Sequence, residues 1–177
     1  MHRIHTATIL LLAALLLPTD MAAQMSGGAA DAQQALSRMD SRRPLPLPPM
    51  MANHQKQNMR EHLGVVQEII AATASDDFAA VERGAGRIGY SEQMGQMCTH
   101  IGAAAPGFTE QALIFHRTAD SIAVAARQHD REGILRALSN TLQTCTACHA
   151  AWKQEVVDDA TWSHATGGDP TAHGTTP

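Results

Sequence analysis

LRALSNTLQTCTACHAAW, residues 135–152, is the stretch whose reading decides the fold. Leu135, Leu138, Leu142, Cys145, His149 and Trp152 recur in steps of three and four, the spacing that lines side chains along one face of an α-helix. A helix from Arg131 to about Val156 is therefore expected, and its inward stripe ends in Cys145-Thr146-Ala147-Cys148-His149. Two thiols three residues apart, followed at once by an imidazole, read as a c-type haem attachment site: the thiols bond to the haem vinyls and the histidine binds iron. On a helix, positions 145, 148 and 149 share a face. Two other readings of these five residues are a redox CxxC, which sits where a strand runs into a helix, and a structural zinc site, which needs a second ligand pair. The sequence supplies neither setting.

Working outward, the 177 residues suffice for one domain with a core, and 44% hydrophobic residues with only 3% aromatics favour helix over sheet. The formal net charge of −4 argues against a nucleic-acid surface. His2, Arg3 and His5, the apolar run Ile9 to Leu17 and the small residues Met21-Ala22-Ala23 make up a secretory signal over 1–23. The apolar run is short for a bilayer span, so no stable membrane insertion is expected after cleavage. Export to the periplasm suits a CxxCH protein, and the third cysteine, Cys98, leaves an odd count that does not read as a disulfide scaffold. Residues 24–49, with Ser26-Gly27-Gly28 and Pro44-Leu45-Pro46-Leu47-Pro48-Pro49, read as a proline-rich disordered leader. Residues 157–177 read as a disordered polar tail, with His164 and His173 solvated.

Residues 50–156 read as four helices. Helix A runs from about Met50 to Ala74 with an apolar stripe of Met59, Leu63, Val66, Ile69, Ile70 and Thr73. Helix B starts near Asp77-Phe78 behind a Ser75 or Asp76 cap, breaks near Gly89-Tyr90, and restarts at Ser91 with Met94, Met97, Cys98 and Ile101 inward. Helix C starts at a Thr109 cap and carries Ala112, Phe115, Ala119, Ile122 and Ala126 on one face; His129-Asp130 turns the chain into helix D. Short connections make antiparallel neighbours. The expected fold is all-α, an antiparallel up-and-down four-helix bundle with haem attached near the end of the last helix.

This pattern resembles the class II c-type cytochromes, the family of cytochrome c-prime and its low-spin, methionine-ligated relatives. The resemblance covers roughly 50–156, and its individually specific part is Cys145 to His149. It implies one covalently attached haem c, with Cys145 and Cys148 as thioethers and His149 as the proximal iron ligand. It also implies an aromatic and a basic residue beside the haem, for which Trp152 and Lys153 stand here, and a homodimer through the first two helices.

The sixth iron position is sought two turns into helix A, opposite His149, where His54, Met59 and His62 lie. Met59 is on the apolar stripe, and the resemblance points to a methionine there. A methionine at such a position also serves as a flexible core filler. With both axial positions filled, the reading is a one-electron carrier with a redox protein partner, and not an enzyme; no Ser/His/Asp order, paired carboxylates or phosphate loop is present. With Met59 turned away, the alternative is a five-coordinate cytochrome c-prime-like protein that binds NO or CO. A non-haem helical bundle binding zinc or copper is a further class. His100 and His116 read as surface or hydrogen-bonded histidines and Cys98 as a small buried hydrophobe.

Overall fold

The structure is a computed structural model that describes residue 28 and residues 31–167. The expected signal segment and the last ten residues of the tail lie outside the described residues. The chain divides into two compact units, Met1–Ser41 and Arg42–Pro177. In the first, residues 31–39 form a solvent-exposed helix, α1.

The second unit is mostly helical. It runs β1 (Arg43–Leu47), α2 (Pro49–Ala74), α3 (Phe78–Ile88), α4 (Glu92–Ile101), α5 (Phe108–Arg127), α6 (Arg131–Ala151), β2 (Trp152–Val156) and α7 (Asp159–Ala165). Local chemistry explains the boundaries. Proline stands at the start of α2, where an amide hydrogen would lack a helical partner in any case. Asp77 caps α3 by accepting the Ala80 N–H at 2.9 Å, one or two residues later than the expected Ser75 or Asp76, because Asp76 itself turns at a φ of 58°. Any side chain at Gly89 would run into the Asp120 carboxylate, which already accepts the Tyr90 N–H at 3.0 Å; the helix breaks there and restarts behind the Ser91 cap. Before α5 the left-handed residue is Gly107, at φ 89°, and the expected cap Thr109 instead donates its hydroxyl hydrogen to the Cys98 carbonyl. Asp130 caps α6 by accepting the Gly133 N–H at 2.9 Å.

α2 packs on α3, α3 on α5 and α5 on α6, while α2 and α6 meet over a much smaller area. Two apolar clusters result. The first joins Val65, Val66 and Ile69 of α2, Val81, Ala85 and Ile88 of α3, Phe115, Ala119 and Ile122 of α5, and Ile134 and Leu138 of α6. The second joins Leu45 and Leu47 of β1, Ala52, Ile101, Ala105, Phe108 and Trp152. Each fully buried Val or Ile contributes about 1.5–3 kcal/mol. Exposed ion pairs such as Arg127–Glu82 at 3.0 Å and the Arg87 pairs with Glu61 and Glu68 add at most about 1 kcal/mol each.

The structure corrects three expectations. Helix D ends at Ala151, not Val156: Trp152 turns extended and becomes buried, edge-on to Phe108 at 5.5 Å, beneath the Arg43 guanidinium at 3.8 Å, with its indole N–H on Gln111 at 2.8 Å. In the supposed disordered leader, residues 31–39 form α1 and residues 43–47 form β1, parallel to β2, with Arg43 opposite Trp152 and Leu47 opposite Val156. Leu45 and Leu47 share one strand face and are fully buried, while Pro44 and Pro46 take the other, as a two-strand edge permits. Residues 159–165 of the supposed tail form α7 behind an Asp158 cap.

The apolar stripes are also rotated. On α6 the inward side chains are Ile134, Ala137, Leu138 and Thr141, and Leu135 and Leu142 face solvent. On α2, Val65, Val66, Ile69 and Thr73 are buried, and Met59, Leu63 and Ile70 of the expected stripe are exposed. Among the described residues, no helix is long and apolar enough to cross a membrane.

Leu47→Ala is expected to lower unfolding stability by about 2–5 kcal/mol, whereas Leu63→Ala, at a residue 68% exposed, should shift it by no more than about 0.5 kcal/mol. Urea titration followed by circular dichroism checks both, and a neutral Leu47→Ala would mean that β1 is dispensable.

Candidate functional site

Between the two apolar clusters lies a cavity of about 500 Å³. Protein interiors pack with few voids larger than a water molecule, and 300–1,000 Å³ is roughly the range of pockets for small organic ligands. The wall contains Cys145, Cys148 and His149 from α6, Met59 and His62 from α2, Met94, Met97 and Cys98 from α4, Phe115 and His116 from α5, and Trp152 and Lys153 from β2. The structure thus brings together the residues that the sequence nominated around a haem, except His54. His54 lines a separate hollow, with Met50, Asn53, Lys56, Gln57 and Arg60.

The α6 motif spans the two clusters. Cys145 packs against the first and Cys148 against the second, because a step of three residues advances a helix by about 4.5 Å along the same face. Both are free thiols, and burial pushes both above the usual thiol range, Cys148 further raised by its neighbour Cys145. A thiol–disulfide exchange CxxC instead needs a depressed thiol in an electropositive setting. His149 lies in the last turn of α6, is exposed on the cavity wall, and its carbonyl accepts a hydrogen bond from Arg42 Nη1 at 3.4 Å. Cys98 is buried, and desolvation pushes its thiol up to about 11, the behaviour of a small hydrophobe.

β1 and β2 close one side. Trp152 sits between Arg43 and Phe108, and the Gln154 amide donates to the Ala52 carbonyl at 3.0 Å and to Gln55 Oε1 at 2.7 Å. The strand after the motif is thereby fastened to the first turns of α2.

Across the cavity, Met59 is 41% exposed. His62, which the sequence places at the edge of the stripe, is half-buried, stacked on Phe115 at 5.0 Å and edge-on to His116 at 5.5 Å. The signal for His62 was present in Val65, Val66 and Ile69, which continue its face at helical spacing; Leu63 and Ile70 masked it. His116 is buried and its Nδ1 lies 2.8 Å from the Ile88 carbonyl, so Nδ1–H donates and Nε2 is left as acceptor. Burial, with the neighbouring His116, lowers His62 to about 4, and burial lowers His116. Both rings are neutral at pH 7. His100 is exposed and meets Trp162 edge-on at 5.4 Å.

Among the described residues, no group of three or more His, Cys, Asp or Glu side chains is placed to hold a metal ion by itself. The lining instead offers three thiols, of which Cys145 and Cys148 share a helix face, three imidazoles, of which His149 is exposed, three thioethers and an apolar wall, a donor set that fits a planar organic cofactor carrying its own metal. Comparisons with protein-family models, with curated proteins and with solved structures found no match.

A histidine held neutral in the fold but free to protonate when unfolded makes the unfolded state bind more protons, so stability rises with pH across that window. For the polypeptide alone, unfolding stability is expected to fall as pH drops from 6.5 to about 4. His62→Gln should flatten that slope, and urea midpoints measured across the window check it; an unchanged slope would show that His62 does not carry it.

Proposed function

We propose that the cavity holds one haem c, attached through Cys145 and Cys148 and bound at iron by His149, and that the protein is an exported, periplasmic one-electron carrier of the class II c-type cytochrome kind. One observation carries this reading: CxxCH opens onto a 500 Å³ cavity facing Met59. On the same reading α2, α3 with α4, α5 and α6 are the four members of an antiparallel bundle. Haem bound in this way supplies reversible iron oxidation and reduction.

The chain's own residues do the rest. Cys145 and Cys148 would hold the group from one helix face, Phe115, Ile101 and Phe108 would exclude water from it, and Lys153 and Arg42 also line the cavity. Met59 is the proposed sixth ligand; a soft thioether favours the reduced metal and leaves no vacant position for substrate, which makes the protein a carrier and not an enzyme. His62, lowered to about 4 by burial, stays neutral at pH 7 and adds no charge to the apolar wall.

A second reading follows from the exposure of Met59. If its thioether stays turned to solvent, the apolar wall around Phe115 and Ile101 suits a five-coordinate site that takes NO or CO.

Intact-mass measurement of the chain expressed with the haem-maturation machinery is expected to show one added haem, and Cys145→Ser/Cys148→Ser should lose it; no increment in the wild-type chain would refute the attachment. The reduced protein should be low-spin and bind CO slowly or not at all, and Met59→Ala should turn it high-spin and CO-reactive with haem retained. Rapid CO uptake by the unaltered protein would select the second reading.

A further inference from the structure

Three soft donors on α4 are left over by the haem reading. Met94, Met97 and Cys98 stand at i, i+3 and i+4, the same spacing as Cys145, Cys148 and His149 on α6, and all six line the one cavity. Side chains three and four residues apart on a helix have Cβ atoms about 5–6 Å apart, a gap that a flexible thioether and a thiol can close onto one ion. Attachment of haem through Cys145 and Cys148, with iron held by His149 and Met59, would use none of the three.

The backbone is held where these donors sit. Ser91 Oγ accepts the Met94 N–H at 3.1 Å, and the Cys98 carbonyl accepts the Gly102 N–H at 2.9 Å and the Thr109 hydroxyl hydrogen at 3.4 Å. The side chains are freer. Met94 and Met97 are half-buried on the wall of an open cavity, whereas a methionine that serves as core filler is packed on all sides. Cys98 is 6% exposed, and burial alone raises its thiol, with no hydrogen bond or neighbouring charge to offset it. It is a buried donor without a polar partner, and it opens on the cavity.

The chemistry of the donors selects the metal. Thiolate and thioether are soft ligands that suit Cu(I), whereas Mg²⁺, Ca²⁺ and Mn²⁺ call for oxygen, and no Asp or Glu lines the cavity. Among the described residues no three His, Cys, Asp or Glu side chains are placed together for an ion, which leaves out the usual zinc sets but not thioethers. Charge points the same way. One thiolate neutralises Cu(I), while a divalent ion on the same donors would leave a net positive charge against an apolar wall.

We infer that Met94, Met97 and Cys98 form a binding site for one Cu(I) ion on the α4 wall of the cavity. On binding, a bond forms between Cys98 Sγ and copper, the S–H bond breaks, and its proton passes to solvent. The two thioethers donate lone pairs, and the metal stays Cu(I). The site goes beyond the electron-carrier reading and does not rest on it.

The test is anaerobic titration of the exported full-length protein with Cu(I) in competition with the coloured Cu(I) chelator bathocuproine disulfonate. In a haem-loaded chain Cys98 is the remaining free thiol; in a chain without haem, Cys145→Ser/Cys148→Ser makes it so. The protein is expected to withdraw one equivalent of Cu(I) from the chelator. Cys98→Ala and Met94→Leu/Met97→Leu should each weaken binding about ten-fold or more, and Met50→Leu, at a residue 84% exposed on α2, should leave it within about two-fold. The Leu pair removes sulfur at nearly constant volume, so it carries the comparison if far-ultraviolet circular dichroism shows that Cys98→Ala has lost its fold.

The inference is overturned if the chelator keeps all the copper, or if Met50→Leu weakens binding as much as the α4 pair does. It is also overturned if Zn²⁺ binds through the same residues more tightly than Cu(I). The intact mass separates the two readings. Copper binding without covalent haem would sink the carrier while the α4 site stands, and haem without copper binding would do the reverse.

Discussion

The parallel pairing of Arg43–Leu47 with Trp152–Val156 is the constraint on which the rest depends. Two strands alone are marginal in water. Here they persist because Leu45, Leu47 and Trp152 are buried together with Ala52, Ile101 and Phe108. That pairing ends α6 at Ala151 and so sets Cys148 and His149 in its last turn. It also ties the chain entering α2 to the chain leaving α6, elements that otherwise make little mutual contact. The sparse α2–α6 contact is what leaves room for the cavity.

A core divided in two is otherwise costly. Lining atoms of an unfilled hollow lose the dispersion contacts that a filled core would give them. The cavity wall joins three thiols, three imidazoles and three thioethers to aromatic and aliphatic side chains. A planar group of matching size filling it would rejoin Cys145 on the first cluster and Cys148 on the second into one continuous core.

Much of this was legible in the sequence. The breaks at Gly89 and Gly107, the Ser91 cap and the α5 face of Phe115, Ala119 and Ile122 follow from local propensity and spacing. So does the gathering of Cys145, Cys148, His149 and Met59 around one cavity, for which helical spacing gave the faces. The stripes went astray where large exposed apolar residues, Leu63, Ile70, Leu135 and Leu142, outbid smaller buried ones such as Ala137 and Thr141; size in sequence is a poor guide to burial when the neighbour is close-packed. β1 was hidden by its prolines, although Leu45 and Leu47 already carried the period of two. The extended turn at Trp152 could not be read locally, because its cause is tertiary: Arg43, Phe108 and Gln111 all come from other segments.

On the distal wall, the candidates differ in freedom as well as in chemistry. His62 is the more buried, which by itself would favour its imidazole. Its ring, however, is held against Phe115 and the edge of His116, and His116 is itself anchored to the Ile88 carbonyl at 2.8 Å. Moving His62 to a metal would mean giving up the stack and leaving the neighbouring ring exposed to the void. Met59 has no comparable restraint: it is 41% exposed, unbranched, with three rotatable bonds and a polarisable sulfur. Swinging inward would bury apolar surface at about 25 cal/mol per Å², so the same motion that brings its thioether toward the cavity also closes it to water. On the proposed haem reading, that coupling between ligation and burial is what favours the sulfur.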